Sequence, residues 1–600
     1  MQEHVIPKRE DVPEEFTWNL GDMFESDEAW SAEFAAAQEL PARAAAFAGR
    51  LCESAETLYE YLQLEDEAGV RISKLYGYAS CKSDQDTANA FYQDMRGKAM
   101  SLYVAYAGAG AFATPEIIAV DDERFESFYK DEPRLETYRR VLYRVRRMAA
   151  HVLSEAEERL LAAAGEMAAS PDNIRSIFMN ADISFPAVKD AKGIEHTLTN
   201  ETFVPMLESE DRPLRKAAFE AYYNRLGEFK NTVAAALDGQ FKQLRFFSDA
   251  RNYPTTLAAA LDGNEVPEEV YENLIDAVHA NMDKMYRYVA LRKKLLGVEE
   301  LHMYDVYTPL VPDAKQKISF DEAKETVLAA LAVLGEDYTD LLKKGFAERW
   351  IDVYENQGKR GGAYSTDVSR PHPYVLLNHK DTLDGMFTLA HEMGHALHSW
   401  HSCKNQPVCT SDYVIFVAEV ASTCNEVLLM RYLLSQTADK RERAYLINHF
   451  LDQFKGTVYR QTMFAEFELE MGRMSEAGDT LTADALCEKY LALNKLYFGA
   501  DMVSDDEIAL EWARIPHFFY DYYVFQYATG FAAAVAIANR ILSDGESAVA
   551  DYKRFLSSGC STDPISLLKI AGVDMSTAEP INSALDLFGE LVDELEKTLG

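Results

Sequence analysis

The sequence predicts a mostly α-helical protein with small β elements. Three observations carry this. From Asp27 to about Ile177, Ala, Glu, Leu and Arg recur at helical spacing. Helical patterns resume from Arg212 and run to the C-terminus. Between them the stretch from Phe178 to Phe203 changes character and alternates like short strands with turns, at Asp182-Ile-Ser-Phe-Pro-Ala-Val, Lys192-Gly193 and Thr197-Leu-Thr. That change of character is the expected boundary between an N-terminal helical lobe, 1–190, and a catalytic domain, 191–600. The opening 25 or so residues read as an extended arm. Asn252-Tyr-Pro-Thr-Thr and Val311-Pro-Asp read as breaks between helices. No fixed-period repeat or low-complexity segment is present.

Composition narrows the class. The 600 residues carry a formal net charge of −38. Such a surface repels nucleic acid and anionic membranes, so neither is expected as a partner. The N-terminal segment is charged and lacks the apolar core of a signal peptide. No apolar run approaches the length of a membrane span. Seven cysteines, an odd number spread widely, fit reduced thiols in a cytoplasm.

The chemistry concentrates at His391-Glu392-Met393-Gly394-His395. Two histidines four residues apart share a helix face and can offer two nitrogens to one Zn²⁺. Glu392 can reach a metal-activated water as general base. Leu383, Met386, Phe387, Ala390, Gly394 and Leu397 complete an amphipathic helix, with Asp381 as its expected cap and Asp384 in a capping-box-like place. Gly394 costs about 1 kcal/mol inside a helix, which makes sense if another backbone or a substrate must come close. His398 lies further along this helix, and His401 is expected at its end, where the dipole favours a cation. Neither is assigned as a ligand. The Cys403–Cys409 pair is too weak a pattern for a structural zinc site.

A catalytic zinc needs a third protein ligand and an open position. After a polar linker, Ser402 to Ser411, a second helix reads Tyr413-Val-Ile-Phe-Val-Ala-Glu419-Val-Ala-Ser-Thr-Cys-Asn-Glu426. Glu419 stands among apolar neighbours, where a carboxylate is costly unless paired or metal-bound, and is the expected third ligand. Glu426, two turns on, is expected to accept a hydrogen bond from a ligand histidine and so fix its tautomer.

The segments His391-Glu-Met-Gly-His395-Ala-Leu-His398 and Phe416-Val-Ala-Glu419-Val-Ala-Ser-Thr-Cys-Asn-Glu426 resemble the thimet-type oligopeptidases, and within them oligoendopeptidase F. Gly358-Lys-Arg-Gly-Gly-Ala-Tyr364-Ser resembles that family's glycine-rich loop. Ile515-Pro-His517-Phe-Phe-Tyr520-Asp-Tyr522-Tyr523-Val-Phe-Gln-Tyr527-Ala-Thr-Gly530 resembles its C-terminal His/Tyr segment. The resemblance implies one zinc ion per chain, short unfolded peptides as substrates, and two helical lobes around a central substrate channel.

Two roles combine this resemblance with chemistry. His517, Tyr523 and Tyr527 are suitable donors to an oxyanion, and three- and four-residue spacing would put the tyrosines on one helix face, with Tyr520 as a substrate contact. Aromatics at that spacing also build cores. Gly361 and Gly362 would let a peptide backbone approach beside Tyr364, while 363–365 and 374–377 could form short strands offering an edge to an extended peptide. The expected function is therefore internal hydrolysis of short peptides. A carboxypeptidase-like exopeptidase stays open because Lys359 or Arg360 could hold a terminal carboxylate. A non-catalytic peptide-binding protein is the alternative that an intact Glu392 argues against.

Overall fold

The computed structural model describes residues 6–311, 317–366 and 371–599. The expected break at Pro312-Asp313 lies outside them. Among the described residues helices dominate, accompanied by seven very short strands: β1 Val188–Lys189, β2 Glu195–His196, β3 Leu301–His302, β4 Ile351–Asp352, β5 Tyr364–Thr366, β6 Tyr374–Leu376 and β7 Met502–Val503. No single helix among the described residues is long and apolar enough to cross a membrane.

The chain forms two compact units, each assembled from three stretches. One comprises Met1–Val152, Lys315–Leu429 and Ile537–Gly572; the other Leu153–Ala314, Met430–Ala536 and Val573–Gly600. Residue 190 thus falls inside the second unit, and the chain first leaves the first unit at Val152. The strand-like stretch seen in the sequence is the antiparallel β1–β2 pair, turned at Gly193 with φ +78°.

In the first unit, Ser54 starts the helix Ala55–Gln85 by accepting from the Thr57 N–H at 3.1 Å. Leu58, Leu62 and Leu75 on its inner stripe bury against Met95, Ala99 and Leu102 of the helix Ala90–Ala109. Residues 18–23 of the opening segment are docked, not a free arm. Trp18, Leu20 and Met23 sit in this same core, because apolar groups of that size cover more surface folded down than extended.

A three-stranded sheet in the order β4-β6-β5 lies in the same unit. β6 is buried along its whole length, parallel to β4 and antiparallel to β5, with Tyr364 opposite Leu376 and Thr366 opposite Tyr374. β5 is an edge strand. The buried Asp352 of β4 holds the sheet's surroundings together: it accepts from Arg9 Nη1 at 2.9 Å and pairs with Lys359 Nζ at 2.7 Å. Lys359 also donates to the carbonyls of Tyr354 and Leu377, which roots the glycine-rich loop in the sheet.

The helix Leu383–Asn405 follows β6. Its cap is Thr382, whose hydroxyl accepts from the Gly385 N–H at 3.1 Å, and not Asp381. It extends to Asn405, so the first residues of the expected linker are helical. The helix Ile415–Gln436 crosses it at very short range. A Cβ on Gly394 would stand 2.5 Å from Ser422 Cα and 2.8 Å from the Ala421 carbonyl. At the same crossing the buried Asn425 donates to the Ala390 carbonyl at 3.1 Å and accepts from Tyr338 Oη at 3.0 Å. The glycine is therefore required by a neighbouring backbone. Gly394→Ala is expected to cost about 1–3 kcal/mol through overpacking against main chain that cannot rotate away. Chemical denaturation of the parent and the variant checks this; equal midpoints would show that the crossing can relax.

Candidate active site

The close crossing brings three groups to one point. His391 Nε2 lies 3.2 Å from His395 Nε2, and Glu419 Oε2 lies 3.4 Å and 3.3 Å from the two nitrogens. This is the one such His, Cys, Asp or Glu cluster with metal-binding spacing among the described residues. A tetrahedral zinc ion with bonds of about 2.0–2.2 Å spaces its ligand atoms about 3.3–3.6 Å apart. The triangle fits that ion, and its donor set of two imidazoles and a carboxylate is one zinc accepts.

Electrostatics agree with the geometry. Burial works against a charged His391, yet hydrogen bonds to the Glu419 and Glu426 carboxylates prevail and push its pKa up to about 10. Burial opposes the Glu419 carboxylate too, but the two histidines hold its pKa far below the ordinary carboxylate range. Both shifts express the close approach of these groups. Glu426 Oε1 lies 2.6 Å from His391 Nδ1, which leaves Nε2 free to act as a ligand once the ring is neutral.

Glu392, one position along the helix, is 7 % exposed. Burial raises its pKa, partly offset by the neighbouring histidines. A carboxylate poised in this way is a competent proton acceptor. Further down the helix, His398 is buried and stacked 3.9 Å from Tyr413, and burial drives its pKa down to about 3. His401 does not carry the expected charge. The helix continues for a further turn, and burial, then Lys553, bring the pKa of His401 down to about 4.

The C-terminal segment, in the second unit, is built differently from the expected helix. Pro516–Phe519 is a short 3-10 turn, the helix begins only at Phe525, and Asp521 and Tyr522 are left-handed, with φ +54° and +60°. Several contacts hold this strained turn. The Tyr522 N–H donates to Glu468, the Tyr522 hydroxyl meets Thr256 Oγ1 at 2.7 Å, and Gln240 donates to the Phe519 carbonyl and to Asp521. Gly472 leaves room for the Tyr522 hydroxyl. Tyr522 is thereby buried, while His517, Tyr523 and Tyr527 gather: Tyr527 Oη lies 3.4 Å from His517 Nε2, and the two tyrosine rings are 5.4 Å apart. Tyr520, 47 % exposed, packs its ring edge-on to His517 at 5.5 Å. One helix face does not make this cluster; a kinked turn does. Burial, and then Arg175, lower the pKa of His517 and favour its neutral form.

In the first unit, Gly362, at φ +83°, precedes edge strand β5 in a conformation that side chains resist. A cavity of 370 Å³ runs from Gly362 and Ala363 past Asn378 to Thr388, one turn before His391. No described residue approaches within 4 Å of the place a Cβ would take on Gly361 or Gly362. The Tyr364 hydroxyl is committed to Asp84 Oδ2 at 2.8 Å, so its side chain braces the strand. Lys359 is fully engaged by Asp352 and carbonyls and cannot hold a terminal carboxylate. Arg360 reaches Asp84 at 3.4 Å.

The model of peptidase family M3 matches residues 205–587, and that of oligopeptidase F matches residues 116–185. The chain belongs to peptidase family M3. Oligopeptidase PepF of Bacillus subtilis is 47 % identical over 594 residues, covering 99 % of this chain and 89 % of that relative. Group B oligopeptidase PepB of Streptococcus agalactiae is 41 % identical, covering 98 % of each. The crystal structure of oligoendopeptidase-F from Enterococcus faecium superimposes with a TM-score of 0.75 at 37 % identity, over 95 % of this chain and 99 % of that one. Membership of family M3 makes this chain a peptidase, and its mostly helical build is that of the solved oligoendopeptidase F.

For this M3 peptidase, the sequence pointed to residues that do cluster, His391, His395, Glu419 and Glu426, and to the buried carboxyl of Glu392 beside them. It missed Asn425, Tyr338, Thr382 and the support under the 521–522 turn. Asn425 left one trace, an amide on the apolar stripe of its helix immediately before Glu426.

Proposed function

We propose that this M3 peptidase is a zinc-dependent endopeptidase that cuts internal bonds of short, unfolded peptides. The observation that carries the reading is the triangle of His391, His395 and Glu419, with edges of 3.2–3.4 Å, beside a buried carboxyl. These three residues would hold one Zn²⁺, which, when bound, lowers the pKa of water to about 7 and polarises a carbonyl oxygen. Glu392 takes a proton from the attacking water and delivers it to the leaving amine nitrogen. Glu426 keeps the His391 ring in the required tautomer. A peptide aligns its backbone along edge strand β5, where Gly361 and Gly362 permit close approach. His517, with Tyr523 or Tyr527, donates hydrogen bonds to the negative charge that grows on the carbonyl oxygen. A net charge of −38 suits a freely diffusing cytoplasmic enzyme and disfavours nucleic acid and anionic membranes as partners.

Glu392→Gln keeps shape and hydrogen bonding but cannot accept the proton. It is expected to retain zinc and peptide binding and to lose turnover by several orders of magnitude. Steady-state kinetics beside metal analysis of the same sample checks this; near-parental turnover with full zinc content would take Glu392 out of the mechanism.

Chelation is expected to abolish activity and added zinc to restore it. Glu419→Ala should lower bound metal, whereas Glu426→Ala should weaken affinity by roughly 10–100-fold, the usual cost of losing a group that orients a ligand. Competition against a zinc indicator measures both, and a Glu419→Ala protein that binds zinc as tightly as the parent would place the third ligand elsewhere.

Tyr→Phe at 523 or 527 removes a hydroxyl and leaves the ring. At least one of the two is expected to lose roughly 10²-fold in kcat at an unchanged melting temperature, as a lost oxyanion donor does. Full activity in both, and in His517→Ala, would make the cluster packing alone.

A further inference from the structure

The second unit contains a buried arginine without a counter-ion. Arg175, on the helix Ser170–Ile177, is 9 % exposed. The other deeply buried arginines of this unit each meet a carboxylate: Arg215 pairs with Asp305 at 2.7 Å, and Arg292 lies 3.7 Å from Asp452. Arg460 likewise pairs with Glu511 at 2.7 Å. Among the described residues Arg175 has no carboxylate within ion-pair distance; Asp172, one turn earlier, acts on it only from further away. Its Nη2 donates to the Arg514 carbonyl at 2.8 Å, its guanidinium lies 5.9 Å from the Phe519 ring centroid, and its Nε has no partner. Nη1 makes no hydrogen bond to a described residue. Burial works against the charge, yet a guanidinium does not lose its proton at any ordinary pH. A cation kept in such a place is costly unless an anion joins it.

The position says which anion. Arg175 clasps the backbone three residues before His517, and its charge is felt at His517 and Tyr520. We propose that Arg175 is a substrate subsite that receives a carboxylate of the bound peptide. Its Nε is enclosed, so the group open to a carboxylate is Nη1, whose N–H bonds no described residue takes and which can form a charge-assisted hydrogen bond. The carboxylate comes from the peptide's C-terminus or from an acidic side chain. A terminal carboxylate would give short chains an advantage, since every short peptide brings one within reach of the site. The inference rests on the reading that the His517–Tyr527 cluster receives peptide.

The test measures binding, so that it does not depend on turnover. Calorimetric titration of the Glu392→Gln protein would use three versions of one short peptide: the free acid, the C-terminal amide, and the amide with a single glutamate moved along the sequence. One of the carboxylate-bearing peptides is expected to bind roughly 10- to 100-fold more tightly than the plain amide, the factor for one hydrogen bond to a charged group. Which one does so identifies the source of the carboxylate. Adding Arg175→Gln should bring that ratio to about one while leaving the affinity for the plain amide unchanged. No preference for either carboxylate, or a preference that survives Arg175→Gln, overturns the proposal. The comparison on Glu392→Gln alone does so even if the second substitution prevents folding. Failure of the hydrolytic reading would register separately, as a parent protein that cuts none of the three peptides.

Discussion

The site depends on one approach of main chain to main chain. Where the helix Leu383–Asn405 meets the helix Ile415–Gln436, Gly394 leaves no room for even a methyl group. Glu419 lies on the turn before this contact and Asn425 and Glu426 on the turn after it. Fixing the contact therefore fixes the reach of both glutamates to His391 and His395. Asn425 adds direction, since a buried amide bonded on both sides tolerates little sliding. The glycine between the two histidines reads as a cost within its own helix and as a necessity once the second helix is present.

Charge placed in low dielectric organises the rest. Around the two histidines, carboxylates outnumber cations until a proton or a metal arrives, and the high pKa of His391 expresses that imbalance. Beneath the glycine-rich loop Arg9 and Lys359 share the one carboxylate of Asp352, and the other hydrogen bonds of Lys359 go to backbone carbonyls, which anchors the loop. At the 521–522 turn the backbone is strained and its neighbours over-determine it. Two non-glycine residues in the left-handed region persist because Glu468, Gln240 and Thr256 hold them.

How much of this the sequence disclosed follows the range of the interactions involved. The helix periodicity, the His391–His395 pair and the isolated carboxylate of Glu419 are local or nearly so, and they were legible. So were the strands at 364–366 and 374–376. Thr382 in place of Asp381 as cap is a difference of one residue that only the backbone settles. The neutral state of His401 depends on Lys553 and on burial by distant chain, and the docking of Trp18 on a core formed by residues 55–142. The tyrosine cluster was found for an incomplete reason: the residues do meet, but through left-handed geometry that spacing rules do not describe. A boundary near 190 follows the change in local pattern, whereas the compact units are defined by which helices pack together.

The discontinuity of those units has a consequence for how the molecule is made. During synthesis the two histidines and Glu419 emerge within a few dozen residues of one another, yet the unit that surrounds them also requires Ile537–Gly572. At a translation rate of about 5–20 residues per second, that last stretch follows on the order of ten seconds later. Through that interval the segments carrying His391, His395 and Glu419, with their apolar surroundings, exist on a chain whose unit is incomplete. The nascent M3 peptidase is therefore most exposed to aggregation while its chemistry is already encoded and its packing is still in the ribosome.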